Sequence, residues 1–286
     1  MRNERFTYRG LNLGKINLMS DYNNKIKYFD AHCHLQDERI VDSIDDIILQ
    51  MRKVGVSKVV CNGTSPYDWE AVKNIAESYD EVLPAYGVHP WYLNVSDDWK
   101  DILAEYLKSH NYSSVGECGL DKNADFSYDL QKSILCEHID IANQLSKPVS
   151  VHCVKAYQLL IDALKNARCD IPIVIHSFTG SIEMMKQLCK LNVFFSFSGT
   201  ITRKHSKYID VLRAVPKDRI LLETDSPDLL PDKDMLSAAG IDCAGNNVPS
   251  NIVVIADFAA GVLGIDIEEL AERVENNFEK VFKREF

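Results

Sequence analysis

The sequence predicts an α/β fold, a single-domain (β/α)8 TIM barrel. Two observations predict it. Eight short β-rich runs alternate with longer amphipathic runs from Tyr28 onward, and side chains of metal-ligand type recur at the C-terminal ends of those β-rich runs. Strands that alternate with helices pair in parallel through right-handed crossovers. Eight such units in roughly 250 residues make a closed barrel.

The elements follow in order. YFDAH (28–32) precedes the helical run 43–55, SKVVCNG (57–63) precedes 66–79, and EVLPAYG (81–87) precedes 96–110. SSVGECG (113–119) precedes the helical run 127–145. PVSVH (148–152), IPIVIH (171–176), VFFSFSG (193–199) and RILLETD (219–225) follow, each with a helical pattern behind it. Ser96 before Asp97 and Asp98 reads as a helix N-cap with an acidic first turn, and Pro66 suits an early helical position. The strand runs are rich in Val, Ile and Phe, as sheet packing favours. Residues 226–250 hold three prolines and two glycines with little periodicity, so they read as a long loop, functional or disordered. A charged helix over Ile267–Lys283 closes the chain.

The 286 residues would give two domains at about 150 each, but α/β barrels of this length are single domains. Residues 28–286 are therefore expected to form one barrel, and residues 1–27 a poorly ordered extension without the apolar middle of a secretory signal. Met19 offers an alternative start within that extension. With 32 Lys plus Arg against 42 Asp plus Glu, the net charge of −10 argues against a broad basic nucleic-acid surface. A small metal-assisted contact with phosphate stays open. Eight scattered cysteines without a CxxC pair predict reduced thiols in a cytoplasmic or nuclear protein. No apolar run is long enough to span a membrane.

The informative residues are His32, His34, Glu117, His152, His176 and Asp225, at or just past the ends of the first, fourth, fifth, sixth and eighth strand candidates. That end of a barrel carries the active site. His32 and His34 are two apart on an extended segment and project to one face, with Cys33 pointing away. Four imidazoles and two carboxylates suit Zn²⁺, Mn²⁺ or related ions. Six ligands exceed the need of one open catalytic metal, so two metals sharing a carboxylate fit better, and paired metals clamp the oxygens of a phosphoryl displacement. One histidine alone would read as structural, but six ligand-type residues at one rim are costly to bury without partners.

His110, His138 and His205 fall in predicted helices or caps and read as structural. Cys33, Cys118 and Cys153 each sit beside a ligand candidate and read as small packing residues. No GxSxG, GxGxxG or GxxxxGK[ST] motif is present.

FDAHCHL (29–35), GVHP (87–90), GECGLD (116–121), PVSVHC (148–153), HSFTG (176–180), SGTIT (198–202), LLETDSPDLLP (221–231), Asn247–Pro249 and NFEKVF (277–282) together resemble the TatD family of metal-dependent hydrolases over residues 28–286. GECGLD together with LLETDSP is the specific part of that likeness. The resemblance implies an amidohydrolase-type barrel with two divalent ions (Mg, Mn or Zn), commonly a DNase acting on phosphodiester bonds. Carried over by motif, His32 and His34 would hold one ion, His152 and His176 the other, and Glu117 would bridge them. Asp225 would bind the first ion and act as general base on the attacking water. His89 of GVHP would contact the scissile phosphate.

Asp121, Asp30 and Glu223 are expected to orient ligand histidines, with helix caps or rim salt bridges as the plainer role. Trp91 and Tyr92 would stack a terminal base or serve as exposed packing. The sequence departs from the family where many members carry Arg two residues after the fifth-strand histidine. Here HCVKA places Val154 there, with Lys155 beside it as a point charge. Val248 replaces the Glu or Arg of many NxP motifs. The expected function is a deoxyribonuclease that engages single-stranded DNA or ends weakly. A metal-dependent ester or amide hydrolase, for example an aminoacyl-RNA deacylase, is the alternative, and a non-enzymatic interaction protein on the same barrel is the third reading.

Overall fold

A computed structural model describes residues 26–167, 169–203, 207–241 and 245–282. The expected N-terminal extension falls almost wholly outside the described residues, as do His205 and Cys243. Lys27, just before the first strand, pairs with Glu275 at 3.1 Å.

All eight strand candidates are strands: β1 Tyr28–Cys33, β2 Val56–Asn62, β3 Val82–Tyr86, β4 Ser114–Asp121, β5 Val149–Val154, β6 Ile173–Ile175, β7 Val193–Phe197 and β8 Ile220–Leu222. They form one parallel sheet in sequence order. The first seven crossovers carry α1 Ile44–Val54, α2 Trp69–Ser78, α3 Trp99–Ser109, α4 Tyr128–Leu145, α5 Tyr157–Asn166, α6 Ile182–Leu188 and α7 Ile209–Ala214. After β8 come α8 Lys233–Ala238, α9 Ile252–Leu263 and α10 Ile267–Phe282. No single helix among the described residues is long and apolar enough to cross a membrane.

Alternation sets the faces. Phe29 points outward onto Phe278 of α10, with ring centroids 5.0 Å apart. Asp30 points into the barrel, where it joins β1 to the end of β8. It accepts from the Thr224 amide at 2.9 Å and the Thr224 hydroxyl at 2.5 Å. Two backbone bonds continue the seam, Asp225 N–H to His32 O at 2.9 Å and His34 N–H to Ser226 O at 2.7 Å. The residues that close the barrel are thus the neighbours of three ligand candidates.

Two helix starts differ from expectation. Ser96 caps nothing, and α3 begins at Trp99 after a turn in which the Trp99 amide donates to Ser96 O. Pro66 lies in a turn before α2, because the Asp68 carboxylate accepts from the Thr64 and Ser65 amides and the Thr64 hydroxyl and so holds a loop there. The 226–250 segment is not one irregular loop either. It contains α8, whose Met235 and Leu236 are buried and whose start is capped by the Asp232 carboxylate. Asn247 anchors the return, donating to the carbonyls of Thr224 and Asp228.

Candidate metal centre

Two strand irregularities aim the central side chains. On β1 the register advances three residues, Asp30 to Cys33, while β2 advances two, Val59 to Cys61. On β4 it advances three, Val115 to Cys118, while β5 advances two, Val149 to Val151. Such bulges re-aim a side chain beside active sites. His32 lies within the first and Glu117 within the second. Glycines make the second one fit: Gly116 and Gly119 have φ of +138° and +150°. A Cβ on Gly116 would lie 2.7 Å from the Ser150 carbonyl oxygen, and one on Gly119 would overlap the His152 carbonyl.

Glu117, 3% exposed, sits at the centre with its two oxygens facing different partners. Oε2 lies 3.3 Å from His32 Nε2 and 3.4 Å from His34 Nε2. Oε1 lies 2.9 Å from both His152 Nδ1 and His176 Nε2. Asp225 Oδ1 completes the first group, 3.7 Å from His32 Nε2 and 3.5 Å from His34 Nε2. All six predicted ligands therefore converge, and Cys33 points away, its thiol on the Val60 carbonyl.

The other nitrogen is hydrogen-bonded in three of the imidazoles and faces a carboxylate in His176. His34 Nδ1–H donates to Asn62 O at 2.8 Å, and His32 Nδ1 faces the Ser150 hydroxyl at 3.0 Å. His152 Nε2–H donates to Asp121 Oδ2 at 3.1 Å, and His176 Nδ1 lies 3.4 Å from Glu223 Oε1. With those nitrogens protonated, the inward ones carry lone pairs. Two such pairs are in close contact, 3.2 Å between His32 and His34 and 3.0 Å between His152 and His176. In the neutral rings such facing lone pairs repel, and either a proton or a metal ion among them relieves the repulsion. Distances of 2.9–3.7 Å among the donor atoms are the edges expected of coordination shells with bonds of about 2.0–2.2 Å. The residues present fit divalent metal ions, and outward bonds of this kind fix ring orientation at metal sites.

The electrostatics agree. Burial alone would push the Glu117 carboxyl up, but the imidazoles of His176, His89 and His32 hold it well below its ordinary value. Asp225 is likewise pulled against its burial to about 2, chiefly by His34. His34 is drawn down by burial yet carried up to about 9 by Asp225 and Glu117. Two buried carboxylates kept ionised make a site that favours cations.

His89 has a different posture. Its Nδ1 accepts from the Trp91 amide at 3.2 Å, so in the neutral ring Nε2 carries the proton, and Nε2 faces Glu117 Oε1 at 3.5 Å. Burial pulls its pKa down to about 3, which keeps it neutral. A neutral N–H donor suits a substrate oxygen better than a cation. His138, read as structural, is fully buried on α4. Its Nδ1–H donates to Ile134 O, and its Nε2 accepts from the Val88 amide at 3.0 Å, one residue before His89.

Of the residues expected to orient histidines, Asp121 and Glu223 contact His152 and His176 as above. Asp30 does not reach the His32 ring. It accepts from the His32 backbone amide instead, because its carboxylate is spent on Thr224 across the seam. Sequence reasoning missed Asn62 and Ser150. Ser150 shares the inward face with His152 at the strand spacing of two, a signal that was available; the Asn62 carbonyl left none.

The centre opens into a cleft of about 590 Å³ whose walls include Trp91, Tyr92, Asp37, Arg39, Asp68 and Asp228. Arg39 brings the cleft's cationic group, but its guanidinium is held by Asp37 at 2.8 Å and by Asp228 at 2.8 Å. Val154 offers no replacement, and Lys155 is exposed at φ +55°.

The model of the TatD related DNase family matches residues 29–283. The chain belongs to the TatD family. Metal-dependent hydrolase YabD of Bacillus subtilis is 28% identical, over 89% of this chain and 98% of its own length. Human Deoxyribonuclease TATDN3 is also 28% identical, over 89% of this chain and 94% of its own. The crystal structure of the TatD homologue YjjV of Escherichia coli superposes with a TM-score of 0.81 at 26% identity, covering 90% of this chain and 98% of YjjV. The chain is thus a TatD-family metal-dependent hydrolase on a TIM barrel.

Proposed function

We propose that this TatD-family chain is a two-metal phosphodiesterase that cleaves DNA, acting on single-stranded ends. The observation that carries the reading is the division of Glu117, with Oε2 toward His32 and His34 and Oε1 toward His152 and His176. One carboxylate between two ligand groups supports a paired-ion centre. The human relative, Deoxyribonuclease TATDN3, supports phosphodiester chemistry.

When bound, paired divalent ions lower the pKa of water and offset charge developing on phosphoryl oxygens. The protein's own groups supply the rest. Asp225, ionised and beside His34, accepts the proton of the attacking water. His89, neutral with Nε2–H directed into the site, donates to a non-bridging phosphate oxygen. Asp121 and Glu223 hold the His152 and His176 rings in place.

The cleft wall limits what extends beyond the scissile bond. Asp37, Glu38, Asp68 and Asp228 line it, and Arg39 is neutralised by two of them. A strand laid across this wall would bring its phosphates against carboxylates, whereas a terminal nucleotide would not. The same wall favours a second reading, hydrolysis of an ester or amide that carries no further phosphate. A substrate panel separates the two. Phosphodiesters cleaved at least a hundredfold faster than carboxylic esters or amides support the first reading, and the reverse order supports the second.

A further inference from the structure

Trp91 makes three contacts at the site and still presents a face to the cleft. Its indole Nε1–H donates to Asp121 Oδ2 at 2.9 Å, the same oxygen that accepts from His152 Nε2 at 3.1 Å. Its ring stands edge-on to His89, with centroids 5.1 Å apart at 89°, and its backbone amide donates to His89 Nδ1. Its side of the cleft is open, with 53% of the residue exposed. We infer that Trp91 is a positioning residue for the metal site: its indole N–H fixes the Asp121 carboxylate, which aligns His152 on the ion that His152 and His176 would hold.

The physical case rests on what else holds that carboxylate. Asp121 Oδ1 accepts from the Asn123 amide at 2.7 Å, which leaves Oδ2 with two donors, Trp91 and His152. Gln131 clamps the Asp121 backbone through its amide and carbonyl but not the carboxylate. Without the indole donor the carboxylate can turn about its side-chain torsion, and His152 loses a fixed acceptor. Partners behind a metal ligand typically contribute about ten- to a hundredfold in metal affinity, and one step further back the expected effect is smaller. The inference rests on the two-ion reading above, because it assigns the indole to one ion and not the other.

The test is calorimetric titration of metal-free protein with Mn²⁺, comparing the wild type with Trp91→Phe, which keeps an aromatic ring and deletes the N–H. The expected result is two binding events in both proteins, one of them loosened about three- to tenfold in the variant and the other unchanged. Asp121→Asn should loosen the same event, and the double variant should be no weaker than Asp121→Asn alone, since the indole acts through that carboxylate. A general packing role would instead lower the melting temperature of the metal-free protein and weaken both events. Identical titrations for the wild type and Trp91→Phe, or additive losses in the double variant, would overturn the inference. A wild type that binds fewer than two ions would overturn the paired-ion reading itself, so the two failures are distinguishable.

Discussion

His152 Nδ1 and His176 Nε2 lie 3.0 Å apart, each 2.9 Å from the same Glu117 oxygen. Asp121 takes the outer proton of His152, and Glu223 faces the outer nitrogen of His176. The inner nitrogens are left as a pair of donors with nothing between them but a shared carboxylate. That arrangement fits a metal ion; in its place, protons on the two rings, whose affinity Glu117 raises, hold the nitrogens together.

Divalent ions should therefore stabilise the fold. At a hundredfold excess over Kd, one bound ion adds about 2.7 kcal/mol. In a chain of this size each kcal/mol raises the melting temperature by roughly 2–4 °C. Differential scanning calorimetry with Mn²⁺ and with chelator should differ by at least several degrees. Coincident transitions would show that the inner nitrogens bind no ion.

Glu117 and Glu223 should separate in their effects. Glu117→Gln replaces one central oxygen with an NH2 group and removes the buried charge. It should lower ion content by more than one per chain and reduce hydrolysis by about 10³-fold. Glu223→Gln changes the group that faces His176 Nδ1 and accepts from the Ser177 amide, and should weaken one ion by about tenfold. Elemental analysis and ion titration read both; equal losses in the two variants would contradict the central place given to Glu117.

Gly119→Ala should be severely destabilising, because the new Cβ meets the His152 carbonyl and the φ of +150° disfavours any side chain. A loss of about 2–4 kcal/mol is expected, read by urea unfolding. Gly264→Ala, where a Cβ would meet nothing within 4 Å although φ is +68°, should cost about 1 kcal/mol.

His138 gives the fold an acid limit. Burial lowers its pKa from 6.5 to about 4, and the Nε2 lone pair is bonded to the Val88 amide. Between those values the unfolded chain holds the proton and the folded chain does not, so stability falls as pH falls through that window. The contribution is fully present above about pH 6.5 and amounts to about 3 kcal/mol. Urea midpoints at pH 7 and pH 4.5 should differ by less in His138→Gln than in the wild type. An equal difference would show that His138 does not hold back its proton.

Much of this was legible in the sequence because its signals are local. Val, Ile and Phe runs ending in His, Glu or Asp marked the strands and the rim, down to the three-residue strands Ile173–Ile175 and Ile220–Leu222. The two bulges that bring His32 and Glu117 to the centre were not legible, since register is a relation between strands. Neither was the use of Asp30, whose partner Thr224 lies 194 residues away. His138 seemed structural and is so, but its partner is the amide next to His89, a contact across 50 residues. The starts of α2 and α3 shifted because Asp68 and the Ser96 turn satisfy loop amides that a helix would otherwise have used.

The measurement that tests the account most directly is release of nucleotides from end-labelled single-stranded DNA by the purified protein. It is run with Mg²⁺, with Mn²⁺ and with chelator, alongside Asp225→Asn. The account predicts cleavage that requires a divalent ion, that chelator abolishes, and that Asp225→Asn reduces by about 10³-fold while its circular dichroism is unchanged. No cleavage with either metal, from protein shown to hold two ions, would contradict it.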